Sequence, residues 1–222
     1  MKSIFEFLAA ALAALSLPVL AASVQITITG ADGKPAADTV VLVQPAASWA
    51  AQPLPEPTVI TQRDIRFQPY VTVVPVGAAV RFINRDGFAH HVRSQPGGPL
   101  GSVPPAKQFE FRLAAARGNN APASAEITLD IPGSIVLGCH LHNSMRGHVF
   151  VANTPWAAVT DDNGRVALLG VPEGQAEVRV WHPDQLVDQP AVRLQVSPQA
   201  NAEARLNFTP RKRPPPVFRN EY

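Results

Sequence analysis

Cysteine is nearly absent from this chain. Its 222 residues hold one, Cys139, so no disulfide can close within it. Methionine is almost as scarce, Met145 being the only one besides Met1. No stretch sustains a 3.6-residue apolar period, which excludes a helical bundle. Outside residues 7–20 no run is apolar enough to cross a bilayer, so no membrane span is expected once the N-terminal segment is removed. Excess charge is lacking too. The formal net charge is +2, but Arg211, Lys212, Arg213 and Arg219 stand in residues 211–222 against a single acid, Glu221. The body is close to neutral, which gives no support to nucleic-acid binding.

What is present begins with an export signal. Lys2 precedes an apolar run, and the small residues Ala21, Ala22 and Ser23 suit cleavage, so residues 1–22 read as a signal peptide. The expected location is the periplasm or another site outside the cytoplasm. Thiols are usually paired there. A lone Cys139 then reads as a buried bystander, an intermolecular link or a metal ligand.

The remainder reads as all-β, with short runs rich in Val, Ile, Thr and Phe separated by Gly, Pro, Asn and Asp clusters. Strands are expected over residues 24–29, 39–43, 71–76, 80–84, 125–129, 134–137 and 148–152. More follow over 165–169, 176–181, 191–196 and 202–208. Residues 45–57 read as a linker, and 94–105 and 114–124 as irregular loops. The basic, proline-rich segment 209–222 reads as a disordered tail.

The segment that carries chemistry is Gly138-Cys139-His140-Leu141-His142-Asn143-Ser144-Met145. A thiolate, an imidazole three positions on and a thioether three further form a soft S/N/S donor set. That set suits copper cycling between its two common oxidation states better than magnesium or calcium. A structural zinc site would want four strong ligands, usually several cysteines. A further imidazole is offered upstream, where the strand ending at Asn84 is followed by Arg85-Asp86-Gly87-Phe88-Ala89-His90-His91. Alternation along a strand lets only one of His90 and His91 face the same side. The outer pair, His91 and His140, reads as solvent-facing or as a second, weaker metal site.

These segments resemble the cupredoxins. Phe67, Pro69, Gly77, Val80, Phe82, Asn84 and His90 match one family pattern, and Pro132, Gly133, Cys139, His142 and Met145 the other. The match spans residues 57–153, a cupredoxin-sized domain, with a ligand loop similar in length to that of amicyanin. The resemblance implies a Greek-key β-sandwich holding one type 1 (blue) copper ion. His90, Cys139 and His142 would be its trigonal ligands and Met145 its weak axial one. It also implies that Asn84 and the residue after the first ligand tie the ligand loops together. Two positions depart from the family habit: Leu141 stands where proline is common, and His91 where asparagine is. Paired histidines at both places leave the assignment open by a position or two; the ungapped alignment favours His90.

Residues 158–174, with the turn at 160–164 and Pro172-Glu173-Gly174, resemble a second family, the smaller regulatory-like β-sandwich of carboxypeptidases. That family's opening strand and D-x-G-K-P-type turn stand before the copper segment, as residues 24–29 and Asp32-Gly33-Lys34-Pro35. A split domain, 24–48 with 154–208, is therefore expected, the alternative being that residues 24–43 add strands to the copper domain; Trp49, Trp156 and Trp181 read as packing residues. The combination is similar to periplasmic cupredoxins labelled methylamine utilisation proteins. The chain offers no acid–base pair or substrate-pocket motif. It reads as an electron carrier between periplasmic redox proteins, a cytochrome or a dehydrogenase or oxidase, and not as an enzyme. Copper storage, delivery or sensing is the alternative, and a metal-free interaction module the third.

Overall fold

The computed structural model describes residues 21–118 and 121–212. Residues 1–20 of the expected signal lie outside them, as do residues 213–222 of the expected tail. The first half of the chain forms β1 (Ala21–Thr29), β2 (Val40–Pro45), β3 (Thr58–Arg63), β4 (Arg66–Gln68), β5 (Val71–Pro75), β6 (Ala78–Asn84), β7 (His90–Gln95) and β8 (Glu110–Leu113). The second half adds β9 (Ser124–Leu129), β10 (Gly133–Cys139), β11 (Arg146–Ala152), β12 (Ala157–Val159), β13 (Arg165–Pro172), β14 (Gly174–Trp181), β15 (Val192–Val196) and β16 (Gln199–Arg205). Among the described residues a single 3-10 turn at Pro99–Gly101 is the only helical element, so the chain is all-β.

Two sheets, β5-β11-β10-β7-β8 and β4-β3-β6-β9, face each other. They bury Ile60, Phe82, Val92, Leu129, Ile135, Leu137 and Val149 between them. This is the two-sheet architecture expected of a cupredoxin-like sandwich. Two further sheets, β13-β1-β16 and β12-β2-β14-β15, enclose a second core built on Val24, Ile26, Ile28, Val41, Val43, Val178 and Leu206.

The strand β2 explains how the two halves meet. Its VVLV run is apolar on both faces, the pattern of a strand covered on both sides. Val41 and Val43 enter the second core, while Val40 and Leu42 pack with Val71 and Ala152. Fully burying each such side chain contributes roughly 1.5–3 kcal/mol. Strand β1 alternates instead and buries Ala22, Val24, Ile26 and Ile28. The chain leaves β2 and returns beside it: Thr154 Oγ1 donates to the Val43 carbonyl at 2.7 Å, and the Val43 N–H to the Trp156 carbonyl at 2.8 Å. Gly164 sits in the left-handed region (φ 70°) on the turn before β13, where a Cβ would stand 2.3 Å from the Ile28 carbonyl oxygen. Only glycine fits this contact between the two distant segments.

Several boundaries differ from those expected. Ala21 and Ala22, placed at the end of the signal, belong to β1, and Ala22 is buried against β13. Parallel pairing with β1 starts β16 at Gln199, three residues earlier than the pattern suggested. Thr209 to Lys212 of the tail are placed, with Arg211 donating three hydrogen bonds to the Asp184 carboxylate. Strands β4, β8 and β12, three or four residues long, carry too short a pattern to stand out.

His148 on β11 lies where the halves touch. It stacks edge-on with Tyr70 at 5.0 Å and against Trp181 at 5.9 Å. Burial pushes its pKa down to about 4, assisted by His182 and Arg146 and opposed by Asp184. The unfolded chain takes up this proton near pH 6.5 and the folded one only near 4. Stability due to His148 is therefore full above 6.5 and falls as pH drops toward 4, by about 3 kcal/mol. Urea unfolding between pH 7.5 and 4 should show that loss, and His148→Phe should flatten it. An identical slope in the variant would refute the assignment.

Candidate metal centre

Adjacent strands bring the expected site residues to one end of the first sandwich. β7 and β10 pair antiparallel with Cys139 opposite Val92, which sets His90, at the start of β7, beside the cysteine at the end of β10. The segment from His140 to Met145 then loops back to β11, and the Met145 N–H donates to the His142 carbonyl at 3.0 Å.

The ligand atoms of His90, Cys139 and His142 lie within 4.8 Å of one another. Both imidazoles turn Nδ1 toward the sulfur, His90 at 3.8 Å and His142 at 3.6 Å. Cys139 is a free thiol, 1% exposed. Met145 is buried in the same core cluster as Cys139. His90 is fully buried, whereas His142 is only partly so and reaches the surface beside the exposed side chains of Phe88 and Leu141. Phe88 covers both rings, its centroid 5.4 Å from His90 and 5.2 Å from His142.

His91 does not join this group. Its side chain points to the outer face, and its backbone N–H donates to Cys139 Sγ at 3.4 Å. The link between ligand loops implied for the residue after His90 is thus made by backbone; the His140 N–H also donates to the His91 carbonyl at 3.0 Å. Asn84 ties the same region. Its side-chain amide donates to the carbonyls of Phe88 and Ala114, each at 2.8 Å, and its oxygen accepts from the Asp86 N–H at 2.9 Å.

Asp86 is the residue beside this cluster that pattern reading passes over. Its carboxylate lies 2.8 Å from His90 Nε2. It also accepts the N–H groups of Asp64 at 2.7 Å and Ile65 at 3.2 Å. Those two residues form the tight turn between β3 and β4, both at positive φ, a costly conformation for β-branched Ile65. An acceptor-only carboxylate fixes the Nε2–H tautomer and frees Nδ1 for the side facing Cys139. Burial holds the His90 pKa below its ordinary value, against the opposing pull of Asp86.

The donor set fits copper. One thiol and two imidazoles converge with a buried thioether nearby, fewer strong ligands than a structural zinc site takes. Carbonyl and carboxylate groups of the kind that magnesium or calcium need do not form the cluster.

No family model matches the chain, and no curated protein matches it. Solved structures do. A copper-containing nitrite reductase from Thermus scotoductus SA-01 is 25% identical over 50% of this chain and 26% of its own, about a quarter of that enzyme's length, with a TM-score of 0.35. A reduced amicyanin variant is 24% identical over 43% of this chain and 82% of its own, with a TM-score of 0.31. Another amicyanin variant, in its Cu(I) form, is 22% identical over 50% of this chain and 98% of its own, at the same TM-score.

Proposed function

We propose that His90, Cys139 and His142, with Met145 as a weak fourth donor, hold one copper ion, and that the protein carries single electrons between exported redox partners. The observation that supports this best is the convergence of one unpaired, buried thiol and two imidazole Nδ1 atoms. Bound copper would supply a reversible one-electron couple. The protein's own contribution is rigidity. Asp86 and Asn84 hold the His90 loop, and the His91 amide donates to the sulfur, so the donors need little rearrangement between oxidation states. Phe88 packs over the rings of His90 and His142, and the partly exposed His142 is the point of contact for a partner such as a cytochrome or a dehydrogenase.

The visible spectrum of the copper-loaded protein tests this reading. An intense thiolate-to-copper charge-transfer band that bleaches on reduction and returns on oxidation is expected. A band with rapid copper loss to a chelator would instead favour storage or delivery, and no copper uptake would defeat both. The apolar run at residues 7–20 supports export to the periplasm; recovery of the chain only in the cytoplasmic fraction would refute it.

The domain organisation belongs to the same proposal. Residues 24–48 with 154–208 form one unit into which 57–153 is inserted, supported by the pairing of β1 with β13 and β16 and of β2 with β12 and β14. A protease site engineered into exposed residues 50–56 gives the test. After cutting, the N-terminal piece should stay bound through size-exclusion chromatography and separate only in denaturant; its release under native conditions would refute the split unit.

A further inference from the structure

We propose that His91, Glu110 and His140 form a second site, open to solvent, for a divalent transition-metal cation of the zinc or copper(II) class. The inference is independent of which ion Cys139 holds.

The pairing of β7 with β8 sets His91 opposite Arg112 and Arg93 opposite Glu110, so His91 and Glu110 are diagonal neighbours on one face. His140, just beyond the end of β10, joins them from the other side. Both imidazoles aim Nε2 at the same carboxylate oxygen, Glu110 Oε1, at 2.7 Å from His91 and 3.3 Å from His140. The two rings lie 4.9 Å apart. Donors bound to one zinc at about 2.0–2.2 Å stand roughly 2.8–3.6 Å from one another. The Glu110 oxygen is therefore already near coordination spacing from each nitrogen. The three donors do not all stand within the 4.8 Å mutual spacing that His90, Cys139 and His142 meet, but the side chains are 32%, 41% and 51% exposed in the order His91, His140, Glu110, so a cation can reach them and draw them together. Two imidazoles, which are borderline donors, and one carboxylate oxygen make a set that suits zinc or copper(II), with positions left for water. Arg93 and Arg112 share the face, and their charge limits affinity.

The outer site is tied directly to the inner one. His140 follows Cys139 and His91 follows His90, so each outer imidazole is one peptide link from an inner donor. A cation outside would place positive charge close to the thiol.

Equilibrium dialysis of the full chain against zinc ion, in wild type and in Cys139→Ala, tests the site. The Cys139→Ala protein should retain one zinc equivalent, and adding His140→Ala or Glu110→Gln to that background should weaken it about tenfold or more. All three side chains are exposed enough for these changes to leave the fold intact. Zinc retained equally in every variant, or no zinc in Cys139→Ala, would overturn the proposal and reduce the cluster to a hydrogen-bonded trio. A colourless copper complex of the wild type, with zinc retained as described, would defeat electron transfer and leave the outer site standing.

Discussion

Cys139→Ser should abolish the visible charge-transfer band completely while leaving the protein folded. The band requires a sulfur anion whose bond to copper is strongly covalent, and a serine oxygen offers no such bond. Copper(I) binding should suffer most, because the softest donor has gone. The fold tolerates the change for a local reason. The new hydroxyl replaces a buried sulfur that already faces the His91 N–H and two imidazoles. It finds partners, and the cost stays near 1–2 kcal/mol. His91→Ala is the matched comparison. The contact from position 91 to the sulfur is made by backbone, so its colour should persist. Absorption and paramagnetic resonance spectra of both copper-loaded variants decide the matter. A blue Cys139→Ser protein, or a colourless His91→Ala protein, would show that the wrong atoms have been assigned.

The contrast between positions 139 and 91 also shows what sequence reading could reach. Cys139, His142 and Met145 share one short loop, so their chemistry is visible in a row of letters. His90 and His91 are adjacent, and alternation says only that one of them faces inward. Choosing between them by residue type alone is impossible, since the choice is made by the register of β7 against β10. Glu110 was invisible for a related reason: strand β8 is four residues long, and the proximity of Glu110 to two histidines exists only through pairing. The all-β class was readable because alternation and turn residues recur along the chain. The VVLV run of β2 was readable as a strand, but its double burial needs both the second core and the first sandwich around it. Trp181 likewise reads as a packing residue, yet its contacts with Phe150 and His148 come from the other half of the molecule.

Asp86 is the hardest of these to foresee and gives the second large prediction. In sequence it is an ordinary turn acid between Asn84 and Gly87. In the fold one carboxylate holds the His90 tautomer and satisfies two N–H groups of a turn at unfavourable φ. Asp86→Asn presents one oxygen and one NH2 group to two backbone donors and a ring N–H, so at least one buried contact becomes donor against donor. Destabilisation of about 1–3 kcal/mol is expected. Loss of a negative charge beside the imidazole proposed to hold copper should weaken copper(II) binding about 10–100-fold. Copper(I), carrying less charge, should lose less. The reduction potential should then rise, by up to about 60–120 mV if copper(I) affinity is unchanged, since each tenfold change in a one-electron couple corresponds to about 59 mV. The blue band should remain, because the sulfur is untouched. Potentiometry alongside urea unfolding separates the two roles: a purely structural Asp86 would lower stability and leave the potential where it was.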